Sequence, residues 1–107
     1  MIELEPVVLD GHFFRGVTVR LPKTTLLVVA GEKGYIMCGA LDVGLLNERL
    51  ADRGIIAGKA QGVHTLQELL DAPLAEVTVA AEALGVHPGL RGSDALLKMV
   101  SDSSAER

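Results

Sequence analysis

Tryptophan is absent, and the 107 residues include only two phenylalanines and one tyrosine, 3% aromatic in all. A core of stacked rings is excluded, and so is a surface on which single-stranded bases would stack. A single cysteine allows no internal disulfide, which agrees with a reducing compartment. Ten Lys and Arg are scattered along the chain against fourteen Asp and Glu, a formal charge of -4. No basic cluster faces a phosphate backbone, so no nucleic-acid partner is expected. The longest strictly apolar run, residues 26–30, is far short of the ~20 residues of a spanning helix. The opening MIELEPVV carries acids where a secretory signal would carry bases. A soluble cytoplasmic protein with no membrane partner is therefore expected.

What the chain does have is aliphatic bulk and punctuation. Hydrophobic residues make up 49% of it, enough for one core of Val, Leu, Ile and Ala, and most of its 12 glycines fall between apolar runs. Residues 2–9, 13–20 and 24–30 are rich in Val, Leu, Ile, Phe and Thr, and Asp10-Gly11 and Leu21-Pro22-Lys23 separate them. They read as strands of an antiparallel meander, with Asp-Gly as a hairpin signal, and Tyr35 to Cys38 as a fourth strand.

From Asp42 the period becomes helical, with Val43, Leu46 and Leu50 on one face, Asp42 as N-cap and Gly54 as the closing cap. Ile55-Ile56-Ala57 reads as a short buried strand after it, which implies a right-handed crossover between parallel neighbours. Thr65-Leu66-Gln67-Glu68 is a capping box, opening a short helix that Pro73 ends. Residues 76–84 fit either a strand at Val77-Thr78-Val79 or a helical stripe of Val77, Ala81 and Leu84, and the helix, ending at Gly85, is favoured. Pro88-Gly89 is a turn, and Ser93 caps a last helix of about two turns.

These elements predict an α+β domain over residues 1–100: a mixed, mostly antiparallel sheet from the N-terminal part, one βαβ crossover, and helices packed on one face. Residues 101–107 read as a flexible polar tail. The second face of so apolar a sheet then needs a cover, and a second copy of the chain is the expected one, so a homo-oligomer is predicted, with a layer from the chain's own loops as the competing explanation.

Cys38 falls at the carboxyl end of a strand, facing a helix start, where open α/β sheets tend to bind ligands. Unpaired N–H groups there would favour an anion, a thiolate included, and Gly39 would let a ligand approach the backbone. His64 precedes the next helix start, after the strand that should run parallel to the Cys38 strand. It is the candidate base for a Cys38 nucleophile, with Asp42 to orient it. The bland alternative is a small buried hydrophobe in Ile-Met-Cys.

Gly54 to Ala60 imitates a phosphate loop, but only three residues separate the glycines and Ala60 replaces the metal-binding hydroxyl. A P-loop is rejected; weak binding of a small anionic metabolite by Lys59 and the backbone of Gly58 and Gly62 stays open beside Gly39. His12 and His87 lie in turns, and no His/Cys pair has helical ligand spacing, so neither a metal nor another cofactor is expected.

The runs KGYIMCGALDV, RGIIAGKAQGVHTLQELLDA and ALGVHPGLRGSDAL together resemble the YunC-like domain, a family of uncharacterised bacterial and archaeal proteins. The resemblance covers residues 7–100, and Met-Cys-Gly followed by Leu-Asp is its most specific part. Leu90 stands where that family would have methionine, and Ala40 where a larger residue is common. The resemblance implies a compact α+β domain and carries no established activity, so it assigns no catalytic residue. Two expectations remain: a ligand- or partner-binding homo-oligomer, and a thiol-dependent hydrolase or acyl transferase using Cys38.

Overall fold

A computed structural model of the protein describes residues 2–39 and 55–105. Six strands, β1 (Ile2–Leu9), β2 (His12–Leu21), β3 (Thr24–Ala30), β4 (Gly34–Cys38), β5 (Ile56–Ala60) and β6 (Glu76–Val77), form one sheet in sequence order. Among these described strands only the β4–β5 pair is parallel. Three helices, α1 (Leu66–Asp71), α2 (Val79–Ala83) and α3 (Gly92–Ala105), complete the described residues, none long and apolar enough to cross a membrane. The expected mixed α+β sheet with one parallel pair is therefore present. The predicted helix opening at Asp42 lies outside the described residues.

The turns follow from their residues. Asp10 and Gly11 both take positive φ, 50° and 83°, the geometry that matches a two-residue hairpin to the strand twist. Pro22-Lys23 closes the second hairpin between Leu21 and Thr24, with Lys23 at φ 69°. That is the second central position of a turn in which proline sets the first, and there glycine is the usual residue.

Three expectations need correction. β5 extends to Ala60 instead of stopping at Ala57, because Gly58 is a strand residue packed beneath Leu74: a Cβ on it would meet Leu74 Cδ1 at 2.7 Å. Residues 76–84 divide between both readings. Val77 pairs with Gly58, and Thr78 then caps α2 by accepting the Ala81 N–H. The helical stripe was misleading because Thr78, between Val77 and Ala81, has extended backbone and satisfies the strand end with its hydroxyl, which accepts from Ala57 N at 3.1 Å and donates to Ile55 O at 2.7 Å. Finally, α3 begins one residue before Ser93 and runs 14 residues, since no breaker follows its second turn; the Arg91 carbonyl takes its first helical hydrogen bond, from Ala95.

The core lies between the sheet and the helices. Phe14, Leu27, Val29 and Ile36 from the strands meet Leu69, Leu96 and Met99, all at most 3% exposed. Register sorts the remaining residues. The side chains of Ile2, Leu4, Pro6 and Val8 pair across β2 with Val19, Val17, Arg15 and Phe13, and share the face turned away from Phe14 and the helices. β3 continues that face with Leu26, Val28 and Ala30.

Candidate functional site

Parallel pairing of β4 and β5 brings Cys38 opposite Ala60, so both strands end on the same edge of the sheet. The chain leaves them as Gly39 and as Gln61-Gly62, and a Cβ on Gly39 would stand 3.4 Å from Gln61 Cγ. Beside them lies the start of β3 with its Pro-Lys turn. A cavity of about 500 Å³ opens there, with Lys23, Thr25, Cys38, Gly39, Gly62 and His64 in its wall.

Cys38 is the inner end of this cavity and only 4% exposed. Its position has a local cause. The β3–β4 ladder ends at Val28 opposite Met37, leaving the next amide, Leu27 N, without a ladder acceptor; the Cys38 sulfur takes that hydrogen bond at 3.3 Å. The thiol in turn donates to Thr25 O at 3.6 Å. The sulfur thus closes the open end of the ladder, and a buried amide is costly when left unpaired. Cys38 belongs to the hydrophobic core cluster as well.

His64 is placed by the capping box. Thr65 Oγ1 accepts from Glu68 N at 3.1 Å, and Glu68 Oε1 accepts in return from the backbone N–H of His64 at 2.6 Å, one residue before the cap. The imidazole is exposed, with Nδ1 3.5 Å from Glu68 Oε1. Glu68 is the carboxylate at this ring among the described residues; Asp42 lies outside them. Gly62, at φ 75°, makes the bend between β5 and this cap with open space around it.

Of the sequence-derived candidates, Cys38, His64, Gly39 and Gly62 come together here. Gly58 and Lys59 do not. Gly58 is buried inside β5, and Lys59 Nζ pairs with Glu76 Oε1 at 2.7 Å with its side chain 12% exposed. Sequence reading missed Lys23, Thr24, Thr25 and Gln61, which also line the cavity. The signal for Lys23 was its place after Pro22, where a turn fixes a lysine at the β3 end. No local signal says that this end neighbours Cys38; the strand order decides it. Among the described residues, no three His, Cys, Asp or Glu side chains are grouped so as to hold a metal ion.

A fold of this topology with a cysteine at the parallel strand ends defines a class by comparison. Residues 37–99 match the family model for a domain of unknown function, DUF1805. The chain is 58% identical over 100 residues to the uncharacterised protein YunC of Bacillus subtilis (strain 168), covering 94% of this chain and 99% of YunC. The crystal structure of TA1206, a protein of unknown function from Thermoplasma acidophilum, superposes with a TM-score of 0.83 at 29% identity, covering 92% of this chain and 93% of that one. The protein therefore belongs to the YunC-like, DUF1805 family, as the three sequence runs implied. The matched span begins at Met37, next to the cysteine, and takes in the whole β5, α1 and α2 region.

Proposed function

We propose that the protein is a cytoplasmic, homo-oligomeric binding domain that takes a small anionic metabolite at the shared end of β4 and β5. The observation that carries this reading is the composition of one cavity wall: Lys23 and His64 stand beside the backbone of Gly39 and Gly62, at the carboxyl ends of two parallel strands. Ligands of open sheets sit at such strand ends. The cationic lysine attracts an anion, glycines without side chains admit it to the backbone, and the neighbouring threonines supply hydroxyl donors. Titrating the protein with orthophosphate and with succinate tests this, read by amide shifts. The reading expects saturable shifts at Gly39, Gly62 and His64 that Lys23→Glu abolishes. Absence of shifts at millimolar concentration of both probes refutes it.

The second reading is a thiol enzyme, hydrolase or acyl transferase, with Cys38 as nucleophile and His64 as base. The presence of both residues in one cavity wall favours it. The burial of the sulfur and its two backbone hydrogen bonds weigh against it, because a nucleophile must reach its substrate. Alkylation of the folded protein by iodoacetamide separates the two readings. Fast modification at neutral pH, lost in Cys38→Ser, supports the enzyme; modification only on unfolding leaves the binding domain.

A further inference from the structure

The far face of β1 is more uniformly apolar than the face it turns to the helices. Along IELEPVVL, the residues at 3 and 5 are glutamates and those at 2, 4, 6 and 8 are apolar. Register places Glu3 and Glu5 opposite Thr18 and Gly16, on the helix side, and turns Ile2, Leu4, Pro6 and Val8 the other way. The helix side of β1 is thus divided, Glu3 and Glu5 at one end and Val7 and Leu9 packed against the core at the other, whereas the far side is apolar at all four positions, the pattern of a face that is buried. That face is bare. Ile2 is 68%, Leu4 73%, Val8 55% and Phe13 77% exposed, and of the outward positions of β1, β2 and β3 only Arg15 is charged.

We infer that a second copy of the chain covers this face, with the two β1–β2–β3 meanders packed against each other around a two-fold axis. The inference rests on the homo-oligomer reading and adds the surface. Two features select a second copy as the occupant, since an isologous contact sets one patch against itself and must find both partners on it. The face offers a projecting ring, Phe13, beside a hollow of about 460 Å³ walled by Leu4, Pro6 and Ala30. The same hollow holds Arg15 and, at the β3–β4 turn, Glu32, so the cation of one copy can meet an acid of the other.

The size also fits. Three strands about 4.8 Å apart and about eight residues long, at a rise of about 3.4 Å, give a footprint of roughly 400 Å² per copy. With side-chain relief, two such faces bury on the order of 1,000 Å² in total, near the lower bound for a specific complex. A reversible dimer follows. Edge-to-edge extension of the sheet is disfavoured in comparison, because Pro6 removes a donor from the middle of the edge strand β1.

Light scattering after size exclusion, on wild type and on Phe13→Glu, Leu4→Glu and Lys98→Glu, tests the surface. The expected result is twice the chain mass for wild type at about 100 µM, falling on dilution. Each of Phe13→Glu and Leu4→Glu weakens dimerisation by about 100-fold, whereas Lys98→Glu, on α3, leaves it unchanged. Circular dichroism and urea midpoints, taken at a dilution where wild type is monomeric, should be the same for all four. A dimer that survives both face variants overturns this surface and keeps the homo-oligomer. A strict monomer at about 100 µM overturns both. A lowered urea midpoint in the dilute face variants means that the chain buries this face itself, and also overturns the inference.

Discussion

The two halves of the sheet are buried by different rules. In β4 and β5 both faces are closed: Ile36 and Met37, adjacent and pointing oppositely, are 0% and 1% exposed, and Ala57 and Ala60 are 0%. In β1 and β2 only the helix side is closed, and only in part, since Phe14 is buried while Glu3 and Glu5 on the same side are exposed. Parallel strands in folded domains are covered on both faces, while antiparallel meanders tolerate a free one. Here the free face is the apolar one, so the two halves serve different ends. The β4–β5 half holds the fold and sets the cavity at its strand ends; the meander presents a surface.

The sharpest way to break this contrast is truncation on each half. Ile36→Ala should lower the unfolding free energy by about 2–5 kcal/mol, as expected for a fully buried large side chain. Phe13→Ala should leave the stability of the dilute monomer within about 0.5 kcal/mol. Comparable losses in urea titration would mean that both halves are core.

Next in size is Thr78→Val. Its hydroxyl joins Ile55 O, Ala57 N and Ala81 N, tying β5 to α2 at the joint where β6 ends. Removing it leaves buried backbone groups unpaired, an expected loss of about 1–3 kcal/mol, and hydrogen exchange should quicken first at Ala57 and Ala81. Unchanged exchange there would show that the joint does not depend on the hydroxyl.

Cys38 tests where the two halves meet. Cys38→Ala removes the acceptor of Leu27 N and should cost about 1–2 kcal/mol, while Cys38→Ser, whose oxygen accepts a hydrogen bond, should cost less. Equal losses for both would reduce the sulfur to packing. The smallest expected effect is a gain. Lys23→Gly relieves a left-handed backbone at φ 69°, and should stabilise the protein by about 0.5 kcal/mol net of the entropy that glycine adds to the unfolded chain. A loss instead would mean that the Lys23 side chain stabilises the β3 end.

Local signals fixed much of this in advance. Asp10-Gly11 and Pro22-Lys23 carry turn chemistry in their own backbones, so the meander was legible to within a residue at each strand. Thr65 and Glu68 announced the start of α1 because a capping box is a local exchange of hydrogen bonds. The placement of Cys38 at a strand end was legible for the same reason, since Gly39 follows it directly. Residues 76–84 were not, because Val77 is held by Gly58 and Thr78 by Ile55 and Ala57, all about twenty residues away.

By itself, then, the sequence determined the strands and turns of the meander, the cap of α1, the aliphatic core and the family. Tertiary structure alone decided that Lys23 and Thr25 share a cavity wall with Cys38 and His64, and that Glu68 is the carboxylate at the imidazole. It alone also decided that Ile2, Leu4, Pro6 and Val8 of β1 turn away from the helices while Val7 and Leu9 turn toward them. The reason is register. Alternation within a strand separates two faces but does not say which one the helices cover, and only the pairing of β1 with β2 and the seating of the helices on Phe14 and Ile36 settle that.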